Sequence, residues 1–174
     1  RYKFNISLTY KTINLIKGLI MMKIKYIVVH LLNDFSGSPR VLADFCAVEA
    51  IQSQSLSIVT NNSIGFLTED LGGFSLIWYP RGRSRLLNFI SFVLAQVQIF
   101  FAVGVLCLRG YRMGERVVVI NNTIFCLASM LAGRLMGAIN IAYVHELPNG
   151  KLMKIIAERV IGFAANEILM VSNI

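Results

Sequence analysis

The chain has 174 residues, of which 56% are hydrophobic and 15% charged, and it carries a net charge of +8 with a pI near 9.7. This length predicts one domain with a sizeable core, while Cys46, Cys107 and Cys126 form no C-x-x-C pair, which excludes a disulfide framework or zinc site and favours a reducing compartment. The basic charge favours an anionic partner, but the basic residues are scattered or flank an apolar helix, which disfavours nucleic acid and suits anionic lipid headgroups.

Residues 1–22 differ from the rest of the chain. They contain Arg1, Lys3, Lys11 and Lys17, no acidic residue and no sustained periodicity. Lysines interrupt any apolar core, and no small-residue cleavage site follows, so a secretory signal is disfavoured. We predict a poorly ordered basic extension, with the natural start near Met21-Met22. The alternative is a basic amphipathic membrane arm.

From Lys23 onward, apolar β-rich runs alternate with helical patterns. The predicted strands are residues 24–32, 56–60, 74–79, 117–121, 139–144 and 168–171. The predicted helices are residues 40–52, 84–108, 123–136 and 152–165. Such alternation predicts βαβ units with right-handed crossovers and a parallel sheet. Residues 23–174 are therefore predicted to be a doubly wound, Rossmann-like α/β domain with helices on both faces of the sheet.

The segment Leu86–Leu108 is long enough to cross a bilayer, which needs about 20 apolar residues. Arginines flank it on both sides, so the positive-inside rule gives no orientation. Polar side chains such as Gln96 and Gln98 make full exposure to lipid costly. The strands on either side must also join one sheet, which a membrane span would prevent. Three arrangements stay open: a helix packed on the sheet, a helix lying in the bilayer surface, or a span.

The loop after the first strand contains Ser36-Gly37-Ser38-Pro39, placed before a helix. Glycine lets the backbone approach a ligand closely, and a helix N-terminus favours anions. The loop lacks both the G-x-G-x-x-G pattern and the P-loop lysine, so neither nucleotide fingerprint is present. The competing interpretation is a tight turn capped by Ser38, with Pro39 at the first helical position.

The fifth predicted strand ends on His145 and Glu146. Ligands of open α/β sheets bind beyond the carboxyl ends of the strands, and histidine can bind hydroxyl or phosphate oxygens. A structural His-Glu pair that fastens a turn is the alternative. Asn121 and Asn122 end the fourth strand at the same edge and either line a cleft or form an ordinary turn. His30, within the first predicted strand, is predicted to be a core or strand-end histidine.

Three segments together resemble one family. They are Ser36-Gly-Ser-Pro-Arg-Val-Leu42, Tyr143-Val-His-Glu146 and Glu167-Ile-Leu-Met-Val-Ser172. In order and spacing they are similar to the N-terminal, acceptor-side domain of family 4 glycosyltransferases with the GT-B fold, of the bacterial surface-polysaccharide type.

This resemblance implies a site. Gly37 and Ser38 would approach the phosphates and sugar of a nucleotide-sugar donor, His145 would face the transferred sugar as the catalytic residue, and Glu146 would support the loop. Asn121 and Glu146 are expected substrate-binding residues, with Glu146 able to accept hydrogen bonds from sugar hydroxyls. The resemblance further implies hexosyl transfer with retention of configuration, no cofactor and no obligatory metal. The acceptor would be lipid-linked or a polysaccharide, and the protein would attach peripherally to the cytoplasmic, inner face of the plasma membrane.

The sequence departs from the family in one respect. It stops at Ile174, and the family's second domain, with its E-x7-E motif, is not within it. We expect a fragment of a longer transferase, one chain of a split enzyme, or a decayed gene product, and we expect this chain alone to be inactive. A non-catalytic membrane-recruiting subunit that docks a separate catalytic chain is the alternative. A Rossmann oxidoreductase is disfavoured because the dinucleotide fingerprint is missing.

Overall fold

The computed structural model of the chain describes residues 23–52, 55–80, 82–123, 125–144 and 151–170. Its strands are β1 (Ile24–Val29), β2 (Leu56–Asn61), β3 (Gly73–Ile77), β4 (Arg116–Asn121), β5 (Ile139–Val144) and β6 (Glu167–Met170). Its α-helices are α1 (Gly37–Gln52), α2 (Arg85–Arg112), α3 (Leu127–Leu135) and α4 (Lys151–Ala164). The predicted extension, residues 1–22, lies outside the described residues.

The six strands form one all-parallel sheet in the order β3-β2-β1-β4-β5-β6. The predicted doubly wound, Rossmann-like fold is therefore confirmed. The central strands β1 and β4 are nearly continuous runs of Val and Ile, because both of their faces are covered by helices. On one face Val28, Ile58 and Ile120 pack with Leu42 of α1.

The opposite face of the sheet carries α2, α3 and α4. Val29, Val59 and Val119 pack there against Ile99 and its neighbours on α2. Towards the β6 edge, apolar side chains of α3 and α4 pack on β5. The result is a three-layer domain with α1 on one face of the sheet and three helices on the other.

Both α2 and α3 end in the same way, at a Met-Gly pair. Gly114 and Gly137 have φ values of 70° and 74°, a region that favours glycine. The backbone N–H of the next residue in each case donates to a carbonyl five residues earlier, at 2.9 Å, which is the pattern of a Schellman motif. These two turns return the chain to the start of β4 and β5.

The structure differs from the sequence prediction mainly at element ends. Helix α1 begins at Gly37 rather than near Arg40, and α2 continues to Arg112. Between β2 and β3 a short 3-10 turn, Glu69–Leu71, replaces the helix of a regular βαβ unit. The face of β2 and β3 that such a helix would cover is closed partly by Leu67, which is almost fully buried.

Candidate functional site

The strand order reverses between β1 and β4, since β1 leads to β2 on one side and β4 leads to β5 on the other. Ligands of open α/β sheets bind in the crevice at such a switch point. A cavity of about 560 Å³ lies at the carboxyl ends of these two strands. Its lining comes from the segments after β1 and β4, from Tyr79 beyond β3, and from the first turns of α1, α2 and α4.

One wall of the cavity is polar and is organised by Asn122, which follows β4. Its side-chain nitrogen donates to the Ser38 carbonyl oxygen at 2.9 Å and to Ser38 Oγ at 3.1 Å. The same nitrogen lies 3.4 Å from Nδ1 of His30, directly after β1. Asn122 and His30 are only 2% and 6% exposed, and both line the cavity. This amide therefore ties the ends of β1 and β4 to the start of α1.

The loop between β1 and α1 is held by Asn33. Its side-chain nitrogen donates to the Leu67 carbonyl at 2.8 Å, and its Oδ1 accepts from the Leu67 N–H at 2.9 Å. A Cβ on Gly65 would lie 2.3 Å from Asn33 Oδ1, so only glycine lets the two loops approach this closely. The adjacent Asp34 carboxylate accepts from the backbone N–H of Ser36 at 2.9 Å. This hydrogen bond links Asp34 to Ser36, and both residues line the cavity.

The other wall of the cavity is apolar. Phe89 and Phe92 from α2 and Phe125 from the β4–α3 connection supply it. Asn88 lies at its edge, where its amide exchanges two hydrogen bonds with the Gly82 backbone, at 2.8 and 2.9 Å. A ligand that fills this cavity therefore meets hydrogen-bonding groups on one side and aromatic rings on the other.

The apolar wall continues onto the outer surface of α2. The helix buries one stripe against the sheet, in which small residues such as Ser91, Ala95 and Gly110 alternate with larger ones. The larger buried residues are Ile99, Val103 and Leu106. Most of its other large side chains are exposed. The exposed apolar residues are Leu86, Leu87, Phe89, Ile90, Val93, Leu94, Val97, Phe101, Val105 and Leu108. An apolar surface of this extent is unusual on a soluble monomer and marks an interaction site.

The polar side chains of α2 are bonded to the protein itself. Gln98 accepts from the Trp78 N–H at 2.9 Å and donates to its carbonyl at 3.2 Å. Gln96 donates to the Phe125 carbonyl at 2.8 Å and accepts from the Ala128 N–H at 3.1 Å. These amides therefore fasten loops to the flanks of the helix.

By length and composition α2 could cross a bilayer, with a mean hydropathy of 2.2 and 33% of its most apolar window buried. Strands β3 and β4 on either side of it nevertheless pair into the same sheet. Of the three arrangements left open by the sequence, the described residues have the helix packed on the sheet through one stripe, with its remaining surface open.

The predicted site residues are placed differently from one another. Ser38 lines the cavity, and Gly37 begins α1 with nothing within 4 Å of the position a Cβ would take. Asn121 is fully buried, accepts a hydrogen bond from Ser129 and donates to the Ile141 carbonyl at 3.4 Å. It is not among the residues that line the cavity. His145 and Glu146 lie outside the described residues.

Of the polar residues that line the cavity, the sequence assigned only Ser38 to the site; the two most buried of the others are His30 and Asn122. His30 was expected to be a core or strand-end residue, and it is both buried and directed at the cavity. Asn121 was the expected substrate-binding residue of the pair Asn121-Asn122, and of the two only Asn122 lines the cavity. The sequence did contain a signal for both residues, because His30 directly follows β1 and Asn122 directly follows β4.

The described residues contain no group of three His, Cys, Asp or Glu side chains that could hold a metal ion. Burial raises the pKa of the Cys126 thiol to about 12 and that of Cys107 to about 11, so both thiols are neutral near pH 7. The cavity combines amide, hydroxyl, imidazole and carboxylate groups on one side with aromatic rings on the other, which suits a ligand that has both a polar and an apolar part.

Comparisons with solved structures agree with this architecture. The chain is similar to MurG from Acinetobacter baumannii, at 12% identity and a TM-score of 0.51, over 86% of this chain and 42% of that one. It is similar at a TM-score of 0.48 to UGT2 from Phytolacca americana in complex with UDP-2fluoro-glucose and pterostilbene, at 15% identity over 72% and 31% of the two chains. A third likeness is the Streptomyces sp. SF2575 glycosyltransferase SsfS6 complexed with thymidine diphosphate, at a TM-score of 0.40 and 15% identity, over 79% and 43% of the chains.

These neighbours are GT-B glycosyltransferases, and at such low identity the likeness to MurG establishes the fold alone. The described domain has the Rossmann-like fold of one half of a GT-B protein. The chain spans less than half the length of each of the three proteins. A scan against protein-family models found no match to the sequence, and neither did a search of curated proteins.

Proposed function

We propose that this chain is the acceptor-binding half of a retaining glycosyltransferase that moves a hexosyl group from a nucleotide sugar to a lipid-linked or polysaccharide acceptor. The observation that carries the proposal is the cavity at the switch point between β1 and β4, with a polar loop wall, on a GT-B half. Two of the neighbours are complexed with UDP-2fluoro-glucose and thymidine diphosphate, which supports a nucleotide-sugar partner.

The proposal gives each site residue a role. Gly37 is open on its side-chain face and begins α1, so a donor phosphate can approach the backbone there. Ser38 is held at the cavity by Asn122 and binds donor or sugar oxygens. His145 is the proposed catalytic residue facing the transferred sugar, supported by Glu146. Asn121 acts beneath the cavity, where its buried amide joins β5 to α3. No metal or cofactor is required.

His145→Ala in the complete enzyme tests the catalytic assignment. Loss of a contact made to the developing charge of the transition state costs about 10²–10³ in kcat. We expect a fall of that size with an unchanged unfolding midpoint. Glu158→Ala, at an exposed position of α4 that does not line the cavity, is the control. A variant that keeps the wild-type rate at saturating donor would contradict the role of His145, and sugar transfer by the purified 174-residue chain would contradict its dependence on a second half.

We further propose peripheral attachment to an anionic membrane, at the cytoplasmic face of the plasma membrane. Residues 71–114 contain no acidic residue and include five arginines, and the exposed face of α2 lies within this segment. A large apolar surface with basic flanks suits the boundary between headgroups and acyl chains.

Trp78 reports directly on this attachment because it is the only tryptophan and is 60% exposed beside α2. Vesicles with brominated acyl chains should quench its fluorescence when they contain anionic lipid. Neutral vesicles should quench it much less, and high salt should weaken the effect. Equal quenching by neutral and anionic vesicles would contradict the electrostatic part of the proposal.

The same surface supports a second candidate function, a non-catalytic subunit that recruits a separate catalytic chain to the membrane. It predicts attachment by α2 as above, together with retained sugar transfer after His145→Ala. The two measurements therefore separate the candidates.

A further inference from the structure

His30 is the imidazole on the polar wall of the cavity. It directly follows β1, and its backbone N–H donates to the Val59 carbonyl at 3.0 Å, which continues the hydrogen bonding of the sheet. Its side chain is almost fully buried and lines the cavity. A neutral imidazole has one nitrogen that donates a hydrogen bond and one that accepts. What His30 can do for a ligand therefore depends on which ring nitrogen carries the hydrogen.

Asn122 occupies the matching position after the neighbouring strand, β4. Its backbone N–H donates to the Val29 carbonyl at 3.1 Å, so the residue is held beside the end of β1. The atoms of its side-chain amide are distinguished by Ser38. A carbonyl oxygen only accepts, so the amide atom that lies 2.9 Å from the Ser38 carbonyl oxygen has to donate. The amide nitrogen of Asn122, and not its amide oxygen, therefore lies at this position.

The same amide nitrogen determines where His30 carries its hydrogen. It lies 3.4 Å from Nδ1 of the imidazole. Because an amide nitrogen donates hydrogen bonds and does not accept them, Nδ1 is the accepting nitrogen of the ring. A hydrogen on Nδ1 would point at the N–H groups of Asn122 instead. In the neutral ring the hydrogen is then on Nε2, since the bond made by one ring nitrogen decides which tautomer is present.

We propose that His30 binds the substrate by donating its Nε2–H to a substrate oxygen, and that it does not act as a general base. This role rests on the proposed glycosyl transfer and assigns a further residue to it. A general base needs an unprotonated nitrogen within reach of the substrate, whereas the unprotonated Nδ1 faces Asn122. Asn122 is accordingly a positioning residue, because it acts on the substrate through His30.

The first experiment measures the tautomer in the 174-residue chain, which contains two histidines. Long-range proton–nitrogen NMR spectra of the isotope-labelled chain distinguish protonated from unprotonated ring nitrogens, and the His145→Gln variant identifies the signals of His30. We expect Nε2 to be protonated and Nδ1 to be unprotonated near neutral pH. The opposite tautomer, or an imidazolium ring with both nitrogens protonated, would overturn the proposal.

The second experiment tests whether Asn122 selects this tautomer. Asn122→Asp replaces a donating amide by a carboxylate that only accepts, so Nδ1 of His30 should become protonated. Asn88→Asp is the matched control, because it makes the same change at another amide that lines the cavity and is bonded to the Gly82 backbone. The control should leave Nδ1 unprotonated. An unprotonated Nδ1 in Asn122→Asp, or equal changes in the two variants, would overturn the role of Asn122.

The third experiment follows sugar transfer by the complete enzyme and needs no variant of Asn122. His30→Gln places an amide N–H near the position of Nε2, so this side chain can donate a hydrogen bond but cannot act as a base. We expect His30→Gln to keep kcat/KM within about threefold and His30→Ala to lose about tenfold through a higher KM. The substrate whose KM rises, the nucleotide sugar or the acceptor, carries the oxygen that His30 binds.

A general base at His30 would give a different result, because its removal lowers kcat by about 10²–10⁴ in both variants. That result, or wild-type constants in both variants, would overturn the proposed hydrogen-bond donation. The proposed function fails separately, if the complete enzyme transfers no sugar. The NMR measurement needs no substrate, so it decides the tautomer of His30 in that case as well.

Discussion

The two walls of the cavity differ in how firmly the protein holds their side chains and in how exposed those side chains are. On the polar wall, His30, Ser38 and Asn122 are held by contacts within the protein and present few exposed atoms. On the apolar wall, Phe89 of α2 is 64% exposed and continues into an open hydrophobic surface. The side chains of the polar wall are held in place, as recognition of a polar ligand group requires. The apolar wall instead exposes hydrophobic surface of the kind that marks an interaction site.

The two walls should also respond differently to substitution: changes in the polar wall should affect the stability of the fold, and changes in the apolar wall should affect binding. Substitutions on the polar wall should destabilise the fold because they remove buried hydrogen bonds or force backbone apart. Substitutions on the outer face of α2 should cost the fold less, because those side chains keep between 43% and 67% of their surface exposed. The following four expectations test that division, from the largest effect to the smallest.

Gly65→Ala should destabilise the domain by about 3 kcal/mol, since a Cβ would lie 2.3 Å from Asn33 Oδ1 and 2.5 Å from the Asp34 backbone nitrogen. Urea unfolding measures the change. Gly37→Ala is the matched control, because nothing lies within 4 Å of its Cβ position and its φ is not positive. It should keep full stability yet weaken donor binding. If Gly65→Ala lowered the free energy of unfolding no more than Gly37→Ala, the loops that carry Gly65 and Asn33 would not be tightly packed against each other.

Ile90→Glu combined with Leu94→Glu should weaken binding to anionic vesicles about 100-fold, because burial of an Ile or Leu side chain contributes about 1.5–3 kcal/mol. The free energy of unfolding should change by less than about 0.5 kcal/mol. The matched control is Ile155→Glu with Ile156→Glu, an exposed apolar pair on α4. Vesicle cosedimentation measures both. Equal losses in the two variants would mean that the surface of α2 has no special role.

Asn122→Ala should lower the free energy of unfolding by about 1–3 kcal/mol, because it removes the amide that joins β4 to Ser38 and leaves buried acceptors unpaired. Asn88→Ala removes a more exposed amide on the apolar side and should cost less. Chemical denaturation of both variants measures the difference. A larger loss of unfolding free energy for Asn88→Ala than for Asn122→Ala would contradict the expectation that the polar wall contributes more to stability.

Stability should also fall as pH rises above 9. Burial raises the folded-state pKa of Cys107 to about 11 and of Cys126 to about 12, from 9.0. Between 9 and these values the unfolded chain loses its thiol protons while the folded chain keeps them, so unfolding becomes easier by up to about 1.4 kcal/mol per pH unit and thiol. Denaturation from pH 7 to 11 tests this, with Cys107→Ala as the variant that flattens the slope. If Cys107→Ala left the pH dependence of the unfolding free energy unchanged, the Cys107 thiol would be accessible to water in the folded protein.

The sequence predicted the fold well because its strongest patterns are local. The apolar runs of β1 and β4 and the length of α2 define elements without any tertiary information. The order of such elements then leaves few topologies other than a parallel, doubly wound sheet.

The site was harder to predict because its geometry depends on distant parts of the chain. Strands buried on both faces do not alternate between polar and apolar residues, so nothing in the sequence showed that Asn122, rather than the expected Asn121, lines the cavity. The amides of Gln96 and Gln98 appeared to oppose contact with lipid. Their partners, Phe125 and Trp78, are loop backbone groups that no local pattern connects to them.

The 28-residue length of α2 has a consequence for how the chain folds. Isolated helices become stable at about 12–15 residues, whereas the central sheet pair must bring Ile24 beside Arg116. Local structure forms before pairing of such high sequence separation. During synthesis the helix is therefore complete before the sheet against which its buried stripe packs. A nascent chain close to a bilayer would hold this helix with both faces uncovered, and assembly on the sheet would compete with insertion into lipid.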